Sequence, residues 1–376
     1  MTSWSTLVWE NGEVRRPDKT RYLNAMRLIE QGEVPFVETE ADFTIVEKVL
    51  GRSVWPARKS YDLAPGDYVE FVERLGMDMA YLAVTWRLGR RERLDECGRR
   101  LYVDGTIKTR HDLKRIEDPG DDDIRRRLDE MLPALEGTGI GTIYNHWNTP
   151  ATVSTAMGYQ DYYVALIEDP DFVREFFRRV DEILVRRLEV VLEYPADAHI
   201  VYANLAMSSG QIVSDDLLEE FEMPYLERNV RMIRARGLPV SFHCDGDCRK
   251  FFPRLIEMGI GGIQAIDPCG GRQDIFELKR LYGGRLALHG NVDCGLLISG
   301  TPEQVAAAVR EQIEKLAPGG GYICSSSHDL NELMPLENIW ALARTIHEAR
   351  VPTASAAVRE PTATGEAGSR KEPGAT

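Results

Sequence analysis

The residues with the clearest chemical potential follow one short apolar segment. Leu238–Phe242 is mostly apolar and is followed at once by His243, Asp245 and Asp247. Because alternate side chains of an extended chain share a face, His243 and Asp245 are expected to point to the same side. An imidazole and a carboxylate placed in this way can hold a divalent metal, or can move a proton without any metal. The spacing leaves both chemistries open, beside a third interpretation in which these polar residues only face water.

The order of strand and helix patterns along the chain indicates the fold that positions this segment. Short apolar segments alternate with helical patterns, and eight of them are predicted to be strands: Val34–Val37, Met79–Val84, Ile140–Tyr144, Ile200–Ala203, Leu238–Phe242, Gly262–Ile266, Arg285–Leu288 and Tyr322–Cys324. Strands separated by helices predict parallel βα units, and eight units predict a closed (β/α)8 TIM barrel within residues 1–350. A doubly wound open sheet is the alternative fold.

Three local features complete this prediction. Asp95–Lys108 has the pattern of an antiparallel hairpin outside the main fold, with Asp104-Gly105 as its turn. The helix that follows Thr301 has a clear start, because Thr301 can cap it and Gln304 stands three residues later. Residues 351–376 are rich in Ala, Thr, Pro, Gly and charge without periodicity, so we expect a disordered tail there.

Composition argues against several classes of function. The chain has 376 residues, 43% hydrophobic content and a formal net charge of -14, so it can bury a large core and would repel nucleic acid. No segment reaches the ~18 consecutive apolar residues of a membrane span, and the N-terminus lacks the apolar region of a signal peptide. Six cysteines in so long a chain, without a secretion signal, predict reduced thiols. We therefore expect a cytoplasmic protein that binds neither nucleic acid nor membrane.

A TIM barrel forms its active site where the strands end. Polar groups follow nearly every predicted strand, and the candidate catalytic residues are Glu40, His146, Asn204, Asp245 and His328. Because His328 follows the eighth predicted strand, we expect it to converge with His243 and Asp245 and to complete a divalent-metal site. His146 also has a structural interpretation, as a histidine that is satisfied within the barrel top.

Several segments can be compared with a known family. They are Gly237–Asp247, Leu278–Gly283, Gly290–Asp293, Gly300–Glu303, Pro318–Ile323 with His328, and Pro335 with Glu337-Asn338. Together they resemble the uroporphyrinogen decarboxylase superfamily, most strongly from Ala198 to Ala349. The resemblance implies a (β/α)8 barrel and one of two activities, which are porphyrinogen decarboxylation and zinc-dependent methyl transfer in partnership with a corrinoid protein.

The resemblance is closer to the methyltransferases than to the true decarboxylases. The true decarboxylases carry an arginine-rich W-M-R-Q-A-G-R motif for the substrate carboxylates, and nothing in this chain matches it. The methyltransferases that activate a thiol hold zinc with His-x-Cys and a later Cys. Here His243 is kept, Asp245 stands at the first Cys position and His328 at or near the later one. The loss of both thiolates argues against methylation of a thiol and favours O- or N-demethylation.

The function expected from the sequence is therefore that of a metal-assisted methyltransferase or demethylase acting on a small molecule. The resemblance implies zinc or another divalent metal at His243, Asp245 and His328, and a corrinoid protein or folate as methyl partner. A homodimer is compatible with the sequence. The first alternative is a metal-free decarboxylase of a porphyrinogen-like or other small carboxylated substrate, in which His328 moves a proton with electrostatic help from Asp245. The second alternative is a non-catalytic binding barrel.

Overall fold

The structure is a computed structural model that describes residues 15–84, 86–96, 98–203, 205–268 and 273–351. Its strands are β1 (Met79–Ala83), β2 (Arg90–Leu94), β3 (Arg100–Gly105), β4 (Gly141–Trp147), β5 (Ala198–Tyr202), β6 (Ala206–Met207), β7 (Gly210–Gln211), β8 (Val240–His243), β9 (Gly262–Gln264), β10 (Ala287–His289) and β11 (Tyr322–Ile323). Seven of them form one parallel sheet in the order β1-β4-β5-β8-β9-β10-β11. β2 pairs with β3, and β6 pairs with β7, as antiparallel ribbons.

Helices connect and cover these strands. They are α1 (Lys19–Met26), α2 (Phe43–Leu50), α3 (Pro65–Leu75), α4 (Asp122–Leu135), α5 (Thr149–Met157), α6 (Tyr159–Glu168), α7 (Pro170–Val191), α8 (Asp215–Phe221), α9 (Met223–Arg234), α10 (Phe252–Met258), α11 (Ile275–Tyr282), α12 (Cys294–Ser299), α13 (Pro302–Leu316) and α14 (Leu336–Glu348). Within the described ranges, no helix has the length and apolar character that crossing a bilayer requires.

Seven of the eight predicted strands are present, with ends shifted by a few residues. At the predicted first strand the structure has an isolated parallel bridge between Phe36 and Cys324. The carbonyl of Phe36 also accepts a 2.9 Å hydrogen bond from the N–H of Asp78, the residue before β1. This segment therefore bonds to the residues that directly adjoin both edge strands of the sheet. The architecture is a parallel α/β sheet of seven strands, consistent with a TIM-barrel-like fold, and the predicted count of eight strands is not confirmed.

The predicted hairpin exists, but its position was wrong. β2 and β3 are joined by residues 95–99, and the N–H of Gly98 donates to the carbonyl of Asp95. Gly98 has a φ of +82°, the left-handed conformation that favours glycine in turns. The Asp104-Gly105 pair instead ends β3. A Cβ at Gly105 would collide with the backbone at the end of α5, so this glycine serves close packing and not a turn.

The start of α13 is as the sequence predicts. The hydroxyl of Thr301 accepts a hydrogen bond from the N–H of Gln304, and the side chain of Gln304 accepts one from the N–H of Thr301 at 2.8 Å. The buried face of the helix consists of Val305, Val309, Ile313 and Leu316, at helical spacing. Of the predicted tail, all but Val351 lies outside the described residues.

A buried ion network closes the end of the sheet at which the strands begin. Asp78 has no exposed surface, and each of its carboxylate oxygens accepts two hydrogen bonds. One oxygen binds Arg21 at 2.7 Å and the N–H of Asp18, and the other binds Arg15 at 3.2 Å and the N–H of Phe36. A buried carboxylate is tolerated only when it is paired in this way. The network therefore ties the segment before α1 to the first strand of the sheet.

Replacing Asp78 by asparagine should lower the free energy of unfolding by about 3–5 kcal/mol, because two largely buried guanidinium groups lose their buried counter-charge and keep only the partly exposed Glu33. Urea denaturation followed by circular dichroism measures the change. The control is Glu182→Gln, which removes an exposed ion pair with Arg178 and should change stability by less than about 0.5 kcal/mol. Similar small effects in both variants would contradict the assigned role of Asp78.

His347 of α14 is buried beside the same network. Its Nδ1 lies 3.0 Å from the Arg15 guanidinium and its Nε2 lies 2.8 Å from the carbonyl of Leu75. A neutral imidazole satisfies both contacts, since Nδ1 accepts and Nε2 donates. Burial, together with the charge of Arg15, lowers the pKa of His347 to about 3.

This lowered pKa predicts a pH dependence of stability. Between about pH 6.5 and pH 3 the unfolded chain binds a proton at His347 that the folded chain does not, so the stability should fall as the pH falls through this window. The maximum contribution of one such residue is about 1.4 kcal/mol per pH unit. Urea denaturation across this window should give a shallower loss for His347→Gln, which keeps a donor for Leu75. An unchanged slope in this variant would rule out His347 as a source of the acid sensitivity.

Candidate functional site

Three polar side chains meet at the C-terminal ends of β8 and β11. His243 ends β8, Asp245 follows it by two residues, and His328 lies in the loop after β11. The Nε2 atoms of His243 and His328 lie 3.0 and 3.1 Å from the same oxygen, Oδ1 of Asp245. One potential metal-ligand atom of each residue lies within 4.8 Å of the corresponding atoms of the other two. The structure thus brings together the three residues that the sequence singles out as metal ligands.

His243 is fixed on two sides. Its ring stacks on that of Tyr202, the last residue of β5, with centroids 4.0 Å apart and an angle of 26°. Its Nδ1 hydrogen-bonds to Oε1 of Gln264, the last residue of β9. Because a carbonyl oxygen only accepts hydrogen bonds, Nδ1 carries a proton and Nε2 is the nitrogen that faces Asp245 and His328. This orientation is the one that ligation of a metal through Nε2 requires.

The ring of His328 is held by a chain of charged groups. Its Nδ1 lies 3.4 Å from Oδ1 of Asp329, and the other oxygen of Asp329 lies 3.2 Å from Nζ of Lys59. The same ammonium lies 3.6 Å from Oε2 of Glu40, a predicted catalytic residue. Glu40 is therefore connected to the three central side chains through Lys59 and Asp329.

The electrostatics of the site follow from the shared Asp245 oxygen. The hydrogen bond to Asp245 raises the pKa of His328 to about 9. Burial opposes the charged form of His243, but the neighbouring Asp245 charge outweighs it, so the pKa of His243 is also raised. Burial alone would raise the pKa of Asp245, yet the two imidazoles hold it below the usual range. Burial and the negative charge of Asp329 raise the pKa of Glu40 to about 7.

Two predicted residues are not placed in this group. His146 lies within β4 but faces the helices, where with Trp86, Leu184 and Arg187 it lines a small cavity next to α7. Its Nε2 is buried without a hydrogen-bond partner among the described residues, and burial lowers its pKa to about 4. Strand alternation explains this placement, since successive side chains of β4 point to opposite faces of the sheet. Asn204 lies outside the described residues.

Sequence analysis missed the residues that support the site. Tyr202 and Gln264 were each treated as part of a strand, although both end a strand and so stand at the edge where the site forms. The position of both residues at a strand end was the signal that could have identified them as part of the site. Glu38 also has a role that was not foreseen: its two oxygens accept hydrogen bonds from the N–H and hydroxyl of Ser326, at 2.8 and 2.6 Å. Burial raises the pKa of Glu38 to about 8.

Comparison with known proteins establishes the family. The model of the uroporphyrinogen decarboxylase (URO-D) family matches residues 71–349. The chain belongs to the uroporphyrinogen decarboxylase family. Among its structural relatives is a methyltransferase from Methanosarcina mazei, with a TM-score of 0.64, 17% identity and coverage of 88% of this chain and 98% of that chain. At this identity the likeness shows a shared fold.

Curated relatives of the chain are uroporphyrinogen decarboxylases. It is 27% identical over 241 residues to that of Azoarcus sp. (strain BH72), which covers 60% of this chain and 61% of the relative. It is 21% identical over 256 residues to that of Coxiella burnetii (strain Dugway 5J108-111), which covers 64% of this chain and 67% of the relative. The chain spans about three-fifths of the length of the first of these relatives. Members of the family are enzymes, and the two kinds of relative differ in reaction.

The contact of both histidines with Oδ1 of Asp245 predicts that removing this carboxylate changes the pKa of His328. In protein freed of metal with EDTA, Asp245→Asn should lower the pKa of His328 from about 9 toward the ordinary value for histidine, because the hydrogen bond to a carboxylate is lost. Titration of the imidazole C–H signals by NMR measures this, with His328→Gln used for assignment. Asp247→Asn is the matched control, since Asp247 stands on the same loop and binds Arg249. An unshifted His328 titration in Asp245→Asn would refute the assigned coupling.

Proposed function

We propose that this protein is a metal-assisted methyltransferase that removes a methyl group from a small molecule and passes it to a corrinoid protein or folate. The observation that carries the proposal is the convergence of His243, Asp245 and His328, with one donor atom of each within 4.8 Å of the others. The methyltransferase from Methanosarcina mazei has a similar fold, which is consistent with the proposal.

The donor set fits a divalent metal. Two imidazole nitrogens and one carboxylate oxygen are ligands of zinc and other first-row metals, and three protein ligands leave a position open for substrate. The Nδ1 atoms of His243 and His328 are bound by Gln264 and Asp329, the kind of support that metal-binding histidines have. When bound by these residues, zinc or another divalent ion would polarise the heteroatom that carries the methyl group.

The protein's own residues supply orientation and a proton. The heteroatom that loses its methyl group to the acceptor keeps the bonding electron pair and takes up a proton. Glu40 can supply this proton, because its pKa of about 7 leaves a large protonated fraction at neutral pH. Lys59 lies 3.6 Å from Glu40 and 3.2 Å from Asp329, and it balances the negative charge that remains after the transfer.

We also propose that residues 1–350 form one (β/α)8 domain. Residues 35–37, within the first predicted strand, would bring the number of barrel strands to eight. They exchange two hydrogen bonds with Cys324 beside β11, and the carbonyl of Phe36 accepts one from the residue before β1. In this proposal β2 and β3 are an excursion from the barrel between β1 and α4.

A second function is favoured by a separate observation. Both imidazoles bind Asp245 directly, at 3.0 and 3.1 Å, so the three side chains form a satisfied group that can exchange protons without a metal. In a metal-free decarboxylase of a porphyrinogen-like or other small carboxylated substrate, His328 would donate the proton that replaces carbon dioxide. The curated relatives are decarboxylases, which supports this candidate. A non-catalytic binding barrel is the third candidate.

Metal analysis separates these candidates. Protein purified without chelator should contain about one divalent metal per chain, and His243→Ala should retain less than roughly a tenth of it, because one of three ligands is lost. His111→Ala, which removes an exposed histidine far along the chain from the site, should leave the metal content unchanged. Methyl transfer from methoxylated compounds to a reduced corrinoid should be lost with the metal and in EDTA. A wild-type protein that holds no metal yet is active in EDTA would refute the proposal and support the decarboxylase.

A further inference from the structure

Arg90, the first residue of β2, carries two donors without acceptors. Its Nε and Nη2 are buried from solvent, and neither has a hydrogen-bond partner in the described part of the chain. These two N–H groups lie on the same edge of the guanidinium and point in the same direction, so together they can bind both oxygens of a carboxylate. Arg249 shows the occupied form of this fork, with Nε and Nη2 at 2.7 and 2.6 Å from the two oxygens of Asp247.

A ladder of stacked rings connects Arg90 with the candidate site. The guanidinium carbon lies 4.6 Å from the ring centroid of Trp147. Trp147 stacks on Tyr202 with centroids 5.7 Å apart and an angle of 14°, and Tyr202 stacks on His243 at 4.0 Å. Trp147, Tyr202 and His243 are the last residues of neighbouring strands in the parallel sheet. Packing within the ladder therefore fixes the position of the guanidinium relative to His243.

The surroundings of Arg90 favour an anionic ligand. The nearby acid Glu92 is already bound by Arg87 at 2.8 Å, so Arg90 has no ion pair among the described residues. Burial and the charge of Arg87 both act against the charged form of Arg90 and lower its pKa. A buried guanidinium in such a setting is stabilised by a carboxylate, which supplies the missing charge and both acceptors.

A cleft large enough for a small molecule lies next to the residues that precede β2, although Arg90 itself is not among the residues that line it. It has a volume of about 310 Å³, lies at the C-terminal end of β1, and is lined by Tyr61, Val84, Arg87 and Arg127 among others. Arg87 precedes Arg90 by three residues, and Val84 also lines the small cavity beside Trp147.

We propose that Arg90 binds the carboxylate of the substrate, and that the substrate is a small methylated organic acid. The rings of Trp147 and Tyr202 separate the guanidinium from His243, so the carboxylate and the transferred methyl group would lie at different ends of the substrate. The assignment of the methyl group rests on the proposed function. The binding of the carboxylate by Arg90 depends on no metal.

Calorimetry with 4-methoxybenzoate and the uncharged 4-methoxybenzamide tests this assignment. The wild-type protein should bind the acid roughly 10- to 100-fold more tightly than the amide, because the fork makes two charge-assisted hydrogen bonds to the acid. Arg90→Gln should remove the preference. Arg90→Lys, which keeps the charge but not the fork, should retain only part of it. Arg93→Gln, at an exposed position of the same strand, is the matched control and should keep the full preference.

Several outcomes would overturn the inference. They are equal binding of acid and amide by the wild-type protein, no binding of either at millimolar concentration, and a preference that survives in Arg90→Gln. If Arg90→Gln lowers only the melting temperature while the preference remains, Arg90 has a packing role. Because carboxylate binding by Arg90 needs no metal, the preference should be the same with and without EDTA. If protein purified without chelator holds no metal but shows an Arg90-dependent preference, metal assistance alone is refuted, whereas bound metal without the preference would refute the role of Arg90 alone.

Discussion

The site depends on one carboxylate oxygen. Oδ1 of Asp245 lies within 3.1 Å of two imidazole nitrogens, one from the end of β8 and one from the loop after β11. Without this negative charge, two histidines at such a separation would repel each other when protonated. With it, the pKa values of both imidazoles rise and the three side chains form one coupled group. The same atoms can exchange two protons for a divalent cation, so metal binding should be strongly pH-dependent.

The surrounding structure holds His243, Asp245 and His328 in place. At the far end of the sheet, Asp78 accepts four hydrogen bonds, two from the segment before α1, one from Arg21 of α1 and one from Phe36, and so joins these segments to the start of β1. At the near end, Tyr202 and Gln264 hold the ring of His243, and the stacking continues through Trp147 to Arg90. A site on strand ends is positioned more precisely than one on long loops. The aromatic ladder extends this precision to a residue of the hairpin.

Much of this arrangement could be predicted from the sequence, for identifiable reasons. Strand positions follow from short apolar segments between helical patterns, and the shared face of His243 and Asp245 follows from strand alternation. The hairpin turn was misplaced because Asp104-Gly105 is a local turn signal, while Gly105 is required by packing against the end of α5. The support from Gln264 and the stacking of Arg90 depend on contacts between distant segments, which no local pattern encodes. Spacing alone also could not decide between metal and proton chemistry.

X-ray absorption spectroscopy of the zinc-loaded protein tests the central claim most directly. The account predicts a first shell of nitrogen and oxygen at about 2.0–2.1 Å, with the outer scattering of two imidazoles and no sulfur. His328→Ala should reduce the imidazole contribution to one ring or abolish zinc uptake. A sulfur shell at about 2.3 Å, or a wild-type protein that takes up no zinc or other divalent metal, would contradict the assignment of His243, Asp245 and His328 as the metal site.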